Sequence, residues 1–187
     1  MVSNSEYGQE IQRHYEECWR ASAKSFRWHK GPVFELPETF SVLMFEPRAS
    51  REMFTYATCG MSLPSDPQPL ELHLFAPEES SRLVELLTAV AHYHRTGSFL
   101  KLGETVNFGR PWFPGSECSY GLISRPYLDG PQLEWFNIGK TRVRFLWLIP
   151  MTYSERQYKK EFGLEALEAR FEAASFDYLD PNRPCVV

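Results

Sequence analysis

Apolar residues recur at helical spacing near the start of the chain. In residues 5–24 an apolar side chain falls at every third or fourth position, at Tyr7, Ile11, Tyr15 and Cys18. This spacing places the four side chains on one face of a helix, with glutamate and arginine elsewhere on its circumference. The pattern predicts an amphipathic helix that packs on a sheet or covers its edge.

The same spacing returns in residues 78–96, where leucine and valine form one stripe. Pro77 and the two glutamates after it suit the first turn of a helix, because proline needs no N–H partner there and acidic groups favour the helix dipole. Gly97 ends the run. We therefore predict a helix over residues 78–96.

A third helical region follows Ser154, which with Gln157 matches a capping box. Gly163 interrupts its periodicity, since one short apolar stripe ends at Phe162 and another begins at Leu164. The pattern predicts a kink or two short helices, followed by an irregular tail.

Strand patterns fill the segments between these helices. In residues 70–74 three leucines alternate with Glu71 and His73, so we predict the leucines inward and the two polar side chains outward. Residues 143–149 are apolar on both sides, which predicts a strand in the middle of a sheet. The remaining strand patterns lie at residues 26–28, 33–36, 40–45, 53–59, 118–124 and 133–138. Together they predict a single α+β domain over residues 1–187, with a mixed, mostly antiparallel sheet covered by helices.

Residues 103–116 separate the second helix from the later strands. Three glycines, two prolines and three aromatics in this segment oppose a regular element and predict a fixed loop. Such loops often carry binding residues on a rigid frame.

We predict that the loop binds a partner protein through a cationic and aromatic surface. The predicted partner-binding residues are Asn107, Arg110, Trp112, Phe113 and Tyr120. Arginine beside an exposed indole is typical of interface hot spots. Equally open is that Trp112 instead pins the loop to the core through apolar and cation–π contacts. An exposed sheet edge that accepts a partner strand is another route to binding.

Composition narrows the possible partners. The net charge is −4 and no basic run exceeds two residues, so nucleic acid is not an expected partner. No window approaches the roughly 20 apolar residues of a membrane helix, and the first residues lack a signal-peptide pattern. We expect a cytoplasmic protein with free thiols at Cys18, Cys59, Cys118 and Cys185.

The sequence also offers a rival function, a small hydrolase. Cys59 and Cys118 could act with a histidine brought near by the fold, although no nucleophile motif surrounds either. Four acids could supply a carboxylate pair, although solvated charges account for them better: Glu104, Glu117, Asp129 and Glu134.

The histidines do not predict a metal site. His92 and His94 lie two residues apart on a predicted helix, so they point in different directions and cannot chelate one ion. We expect no metal and no cofactor.

Five segments together resemble the suppressor of fused family. In chain order they are FTYATCGMS at 54–62, LELHL at 70–74, the helix at 83–94, GETVN at 103–107, and VRFLWLIP at 143–150 leading into TYSE at 152–155. The resemblance covers roughly residues 35–172.

The resemblance implies a sandwich-like α/β domain without catalytic activity or cofactor. Animal members bind a Hedgehog-pathway transcription factor between two domains, and this chain has room for the first of them. Compact single-domain members resemble a bacterial group associated with polymorphic toxin systems as immunity proteins. The resemblance therefore implies a protein that neutralises a toxin by covering its active site, which a net acidic charge would suit if the toxin is basic. A small hydrolase and a structural homo-oligomer are the alternatives.

Overall fold

The computed structural model describes residues 3–187, which form one sheet with helices on both faces. The strands are β1 Lys24–Phe26, β2 Ser41–Phe45, β3 Phe54–Cys59, β4 Leu70–Ala76, β5 Thr105–Asn107, β6 Tyr120–Ser124, β7 Trp135–Ile138 and β8 Thr141–Met151. The helices are α1 Asn4–Trp19, α2 Ser81–Thr96, α3 Pro131–Glu134, α4 Tyr153–Phe162 and α5 Leu164–Ala173.

The sheet order is β1-β2-β3-β4-β8-β6-β5, and β7 pairs with β8 outside this path. The β4–β8 pair is parallel and the other pairs are antiparallel. β8 lies between β4 and β6, which confirms the central position predicted from its apolar residues on both sides. The predicted α+β fold with a mixed, mostly antiparallel sheet is confirmed.

Two helical layers enclose the sheet. α2 packs on one face, where Leu83 and Leu87 join a core that includes Met44, Leu72 and Leu148. α1 and α5 cover the other face, with cores built around these side chains: Tyr7, Ile11, Tyr15, Phe45, Phe145, Trp147, Leu167 and Phe171. Coverage on both faces explains why β4 is buried at every residue and β3 at every residue but its first.

Helix termini depart from the sequence prediction. α1 ends at Trp19 rather than residue 24, because Arg20 turns into the left-handed region with φ 50°. α2 begins at Ser81, so Pro77 and its two glutamates precede the helix rather than open it. Ser80 is extended, and its N–H donates to the Tyr56 hydroxyl at 2.7 Å, which holds the segment out of the helix.

The final helical region divides as predicted, since Gly163 has φ 94° and separates α4 from α5. Its capping box, however, is formed by Thr152 and Glu155 rather than by Ser154 and Gln157. Both pairs have the same spacing, and the earlier one is used because β8 ends immediately before it.

Two predicted strands contain helical turns. Residues 32–35 form a 3-10 turn after Gly31, whose φ of 75° redirects the backbone, so no strand pairs back there. The predicted strand at 133–138 is α3 followed by β7, because Gly130 with φ 75° and Pro131 start a helical turn. Both turns begin at the proline of a Gly-Pro pair, because proline at the first helical position needs no N–H partner.

The predicted outward direction of Glu71 and His73 is wrong, because α1 covers the face of β4 on which they lie. Both side chains are completely buried. The Glu71 carboxylate accepts hydrogen bonds from the Thr58 hydroxyl, the Met61 N–H, and the N–H and hydroxyl of Ser62. Burial raises the pKa of Glu71 to about 7, although these bonds oppose the shift. Burial lowers the pKa of His73 to about 4.

Glu71→Gln should remove a pH dependence of stability. The folded state favours the protonated Glu71 carboxyl. The contribution of this carboxyl to the free energy of unfolding is therefore complete below about pH 4.5 and is lost as the pH rises to about 7. The stability of the wild-type chain relative to Glu71→Gln should therefore fall across this window, by up to roughly 1.4 kcal/mol per pH unit. Urea unfolding of both proteins at several pH values measures the difference.

Comparison with the variant is needed because His73 titrates in the same window with the opposite sign. Its lowered pKa means that stability is lost as the pH falls from 6.5 towards 4. This term is common to both proteins and cancels in the difference. A difference that is constant, or that rises with pH, would contradict the prediction.

Candidate partner-binding edge of the sheet

β5 forms one edge of the sheet and pairs only with β6 in the described sheet order. The Phe108 N–H donates to the Ser119 carbonyl at 3.0 Å and the Ile123 N–H donates to the Glu104 carbonyl at 2.9 Å. These bonds show that the backbone groups of Glu104 and Phe108 point towards β6. Successive residues of an antiparallel strand direct their backbone groups to opposite sides. The N–H and C=O of Thr105 and Asn107 therefore point away from β6, towards the open side of the edge.

β5 contradicts the expectation that residues 103–116 contain no regular element. The strand is short because Gly103 and Gly109, with φ of 81° and 72°, turn the chain at its two ends. The Asn107 side-chain oxygen accepts the Gly109 N–H at 2.8 Å and fixes the exit from the strand. The rest of the segment is a loop, as predicted.

Trp112 and Phe113 do not form an exposed surface. They are 2% and 4% exposed, and their rings pack edge to face with centroids 4.7 Å apart. The Trp112 indole N–H donates to the Ser116 hydroxyl at 3.1 Å. Of the two roles left open for Trp112, the structure therefore supports the second. Trp112 anchors the loop in the core through apolar packing and this hydrogen bond.

Arg110 lies at the surface and forms an ion pair with Glu85 of α2. The two residues line a groove of about 430 Å³ between α2 and β5. Asn107, Tyr93 and Arg156 also line it, and Tyr93 is exposed. The groove therefore carries charges of both signs and an aromatic ring beside the open backbone of β5.

Tyr120 lies opposite Asn107 on β6. The Arg156 guanidinium stacks over the Tyr120 ring at 4.9 Å and its Nε donates to the Thr105 hydroxyl at 3.4 Å. Tyr153 packs 6.0 Å from the same ring. The fold thus brings Asn107, Arg110 and Tyr120 to one edge.

Sequence reasoning missed three residues at this edge: Glu85, Tyr153 and Arg156. Tyr153 and Arg156 share one face of α4 through their spacing of three, and this was the available signal. Nothing in the sequence indicated that this face would meet β6.

The family model of the suppressor of fused protein (SUFU) matches residues 37–184. This chain belongs to the suppressor of fused family. A search of the curated proteins found no match.

Solved structures of suppressor of fused proteins share the fold. A SUFU homologue from Neisseria gonorrhoeae FA 1090 is 34% identical, with a TM-score of 0.84 and 97% of each chain covered. The Sufu–Fu complex has a TM-score of 0.69 at 12% identity, covering 89% of this chain and 84% of that one. Drosophila Suppressor of Fused has a TM-score of 0.64 at 14% identity, covering 89% of this chain and 47% of its own length.

None of the helices within residues 3–187 has the length and apolar character needed to cross a membrane.

The surroundings of the candidate cysteines do not favour a nucleophilic thiolate. Cys59 and Cys118 are buried, and burial raises the pKa of both thiols. The Cys59 thiol donates to the Gly8 carbonyl, and within the described residues neither sulfur bonds a histidine. The Cys18 sulfur lies 3.8 Å from His14 Nδ1. Burial raises the pKa of the Cys18 thiol to about 11, however, which disfavours the thiolate.

Three of the four candidate carboxylates make separate structural contacts. Asp129 pairs with Arg51, and Glu134 pairs with Arg144. Glu104 accepts the Lys101 N–H, and Glu117 is exposed. Within residues 3–187, no three histidine, cysteine or acidic side chains are grouped to hold a metal ion.

Proposed function

We propose that this chain is a non-enzymatic protein-binding module that accepts an extended segment of a partner protein along β5. The observation that carries the proposal is the outward-facing backbone of Thr105 and Asn107 at the open edge. Strand addition at such an edge supplies main-chain hydrogen bonds without a deep pocket. The relative in the Sufu–Fu complex is itself crystallised with a partner, which agrees with a binding role.

The groove beside β5 would supply the selectivity. A strand added to the edge projects alternate side chains to one face of the sheet. There, Tyr93 offers an aromatic surface, while Glu85, Arg110 and Arg156 offer groups of both charges. Tyr120 supports the edge from β6, and Trp112 and Phe113 hold the adjoining loop in place from inside the core.

The sharper form of the proposal is an immunity-type protein that occludes a toxin. The similarity to a bacterial SUFU homologue over nearly the full chain supports it, as does the net charge of −4, which would attract a basic toxin domain. Neutralisation would then require surface complementarity and no chemistry. The captured partner should lose its activity in proportion to the amount of this chain added.

Asn107→Pro tests the edge directly. Proline removes the outward N–H while leaving the β5–β6 bonds, which use other residues, in place. Loss of one main-chain hydrogen bond with its partner left unpaired costs about 1–3 kcal/mol, so affinity should fall about 5-fold to about 150-fold. The measurement is capture from the native host, followed by calorimetry with the purified partner.

Asn107→Ala is the matched control. Both substitutions remove the side-chain bond to the Gly109 N–H, but alanine retains the backbone N–H. Near wild-type affinity for alanine with a large loss for proline supports strand addition. Equal affinities for the proline variant and wild type would refute it, provided that circular dichroism shows both variants folded.

A further inference from the structure

A second groove lies on the opposite face of the sheet from the groove beside β5. It occupies about 660 Å³ between α5, residues 124–128 and residues 175–178. Aromatic and aliphatic side chains line it: Trp147, Ile149, Phe171, Phe176 and Tyr178. The volume falls within the range of known binding sites.

The rim of this groove exposes large apolar groups. Tyr127 is 57% exposed and Leu128 is 48% exposed, and they adjoin the buried floor formed by Trp147 and Phe171. Exposed apolar side chains that continue into an apolar groove are typical of an interaction surface rather than of scattered surface residues.

The charges of the groove are of one sign. Three carboxylates, Glu165, Glu168 and Glu172, line it, and no arginine or lysine does. Their spacing of three and four residues places them along one side of α5. Glu168 accepts hydrogen bonds from the hydroxyls of Ser124 and Tyr127.

Glu165 and Glu172 are exposed and form no ion pair within the described part of the chain. Arg170 of the same helix contacts Tyr158 instead, and Arg125 beside the rim does not line the groove. The groove beside β5, by contrast, contains Arg110 and Arg156. Of these two grooves, the one beside α5 therefore combines an apolar floor with carboxylates and no cation at its rim.

We propose that this groove docks a segment of a partner polypeptide that carries apolar anchors flanked by lysine or arginine. The anchors would cover the aromatic floor, and the cations would lie against Glu165 and Glu172. These two glutamates are seven residues apart on α5, which corresponds to about 10 Å along the helix axis. An amphipathic helix that carries basic residues along one side of its apolar stripe can place two cations at this separation. The docking is independent of strand addition at β5.

The test uses a fluorescently labelled amphipathic peptide with leucine on one face and lysine beside it. Two matched peptides replace the lysines with glutamate or the leucines with serine. Fluorescence anisotropy should show binding of the leucine–lysine peptide, weakened by salt, and much weaker binding of the other two. Glu165→Lys with Glu172→Lys should reduce affinity on the order of tenfold, because two attractions become repulsions.

The control is Glu78→Lys with Glu161→Lys, which makes the same change in net charge at exposed sites outside the groove. Leu128→Ser should weaken binding while both groove glutamates remain. Equal losses in the groove and control variants, or equal binding of the glutamate peptide, would overturn the proposal. So would reversible self-association in analytical ultracentrifugation that the groove variant abolishes, because a second copy of the chain would then be the occupant.

Discussion

Arg183→Met is expected to lower the free energy of unfolding by about 3–5 kcal/mol. The guanidinium is buried and donates to both carboxylate oxygens of Glu155, at 2.6 and 2.8 Å, and to the Pro150 carbonyl at 3.1 Å. It also lies over the rings of Phe171 and Phe176. Methionine fills much of the same space but leaves the completely buried Glu155 without its cation. Urea unfolding followed by circular dichroism measures the loss.

The double variant Arg183→Met with Glu155→Gln separates charge from packing. Glutamine retains the capping-box role at the start of α4, so the cap is preserved while the unpaired charge is removed. The double variant should recover a large part of the lost stability, since the pair belongs to one network. Arg13→Met, which breaks an exposed ion pair on α1, should change stability by less than about 1 kcal/mol. A loss of that same small size from Arg183→Met would refute the prediction.

This ion pair shows what a local sequence pattern omits. The proline-rich tail was predicted as irregular, and it is. Its attachment depends on Arg183 meeting Glu155, which lies 28 residues earlier in the chain. Hydrophobic periodicity carries no information about a contact between residues so far apart in the sequence. The sequence pattern therefore does not reveal that this irregular segment is attached to the core.

Elements set by local chemistry were predicted well. Gly163 divides the last helical region because of its own backbone conformation, and β8 is central because both of its sides are apolar. Glu71 and His73 were assigned to the surface because polar residues alternating with leucine usually face solvent. Their burial depends on α1, which lies more than fifty residues earlier, and could not be read from the strand.

Only part of the candidate site was predicted, because local chemistry sets some of its features and tertiary contacts set the others. The loop following β5 was found from its glycines and prolines, and Asn107, Arg110 and Tyr120 lie at one edge. Composition could not distinguish an exposed Trp112 from a buried one, because the Ser116 hydroxyl that satisfies its indole is available only once the loop has closed. Arg156 reaches the edge from α4, through tertiary packing alone.

Asp129→Ala is expected to cost about 3 kcal/mol or more, because it leaves a partly buried arginine without its partner. Asp129 Oδ1 accepts the Trp19 indole N–H at 2.9 Å and Arg51 Nη1 at 2.6 Å, and Oδ2 accepts Arg51 Nη2 at 3.2 Å. The Arg51 guanidinium in turn packs over Trp19 and Phe75 at 4.9 and 4.8 Å. One carboxylate therefore joins the end of α1, the turn before β3 and the loop before α3. Urea unfolding again measures the change.

Asp129→Asn distinguishes the charge from the hydrogen bonds. Asparagine can still accept the Trp19 N–H and one Arg51 N–H, so its loss should be smaller than that of alanine. Adding Arg51→Met to Asp129→Ala should restore stability, because the uncompensated cation is then gone. Equal losses for asparagine and alanine would show that the charge dominates. A loss below about 1 kcal/mol for alanine would instead mean that this network does not hold α1 to the sheet, and that apolar packing around Tyr15 and Phe145 does so alone.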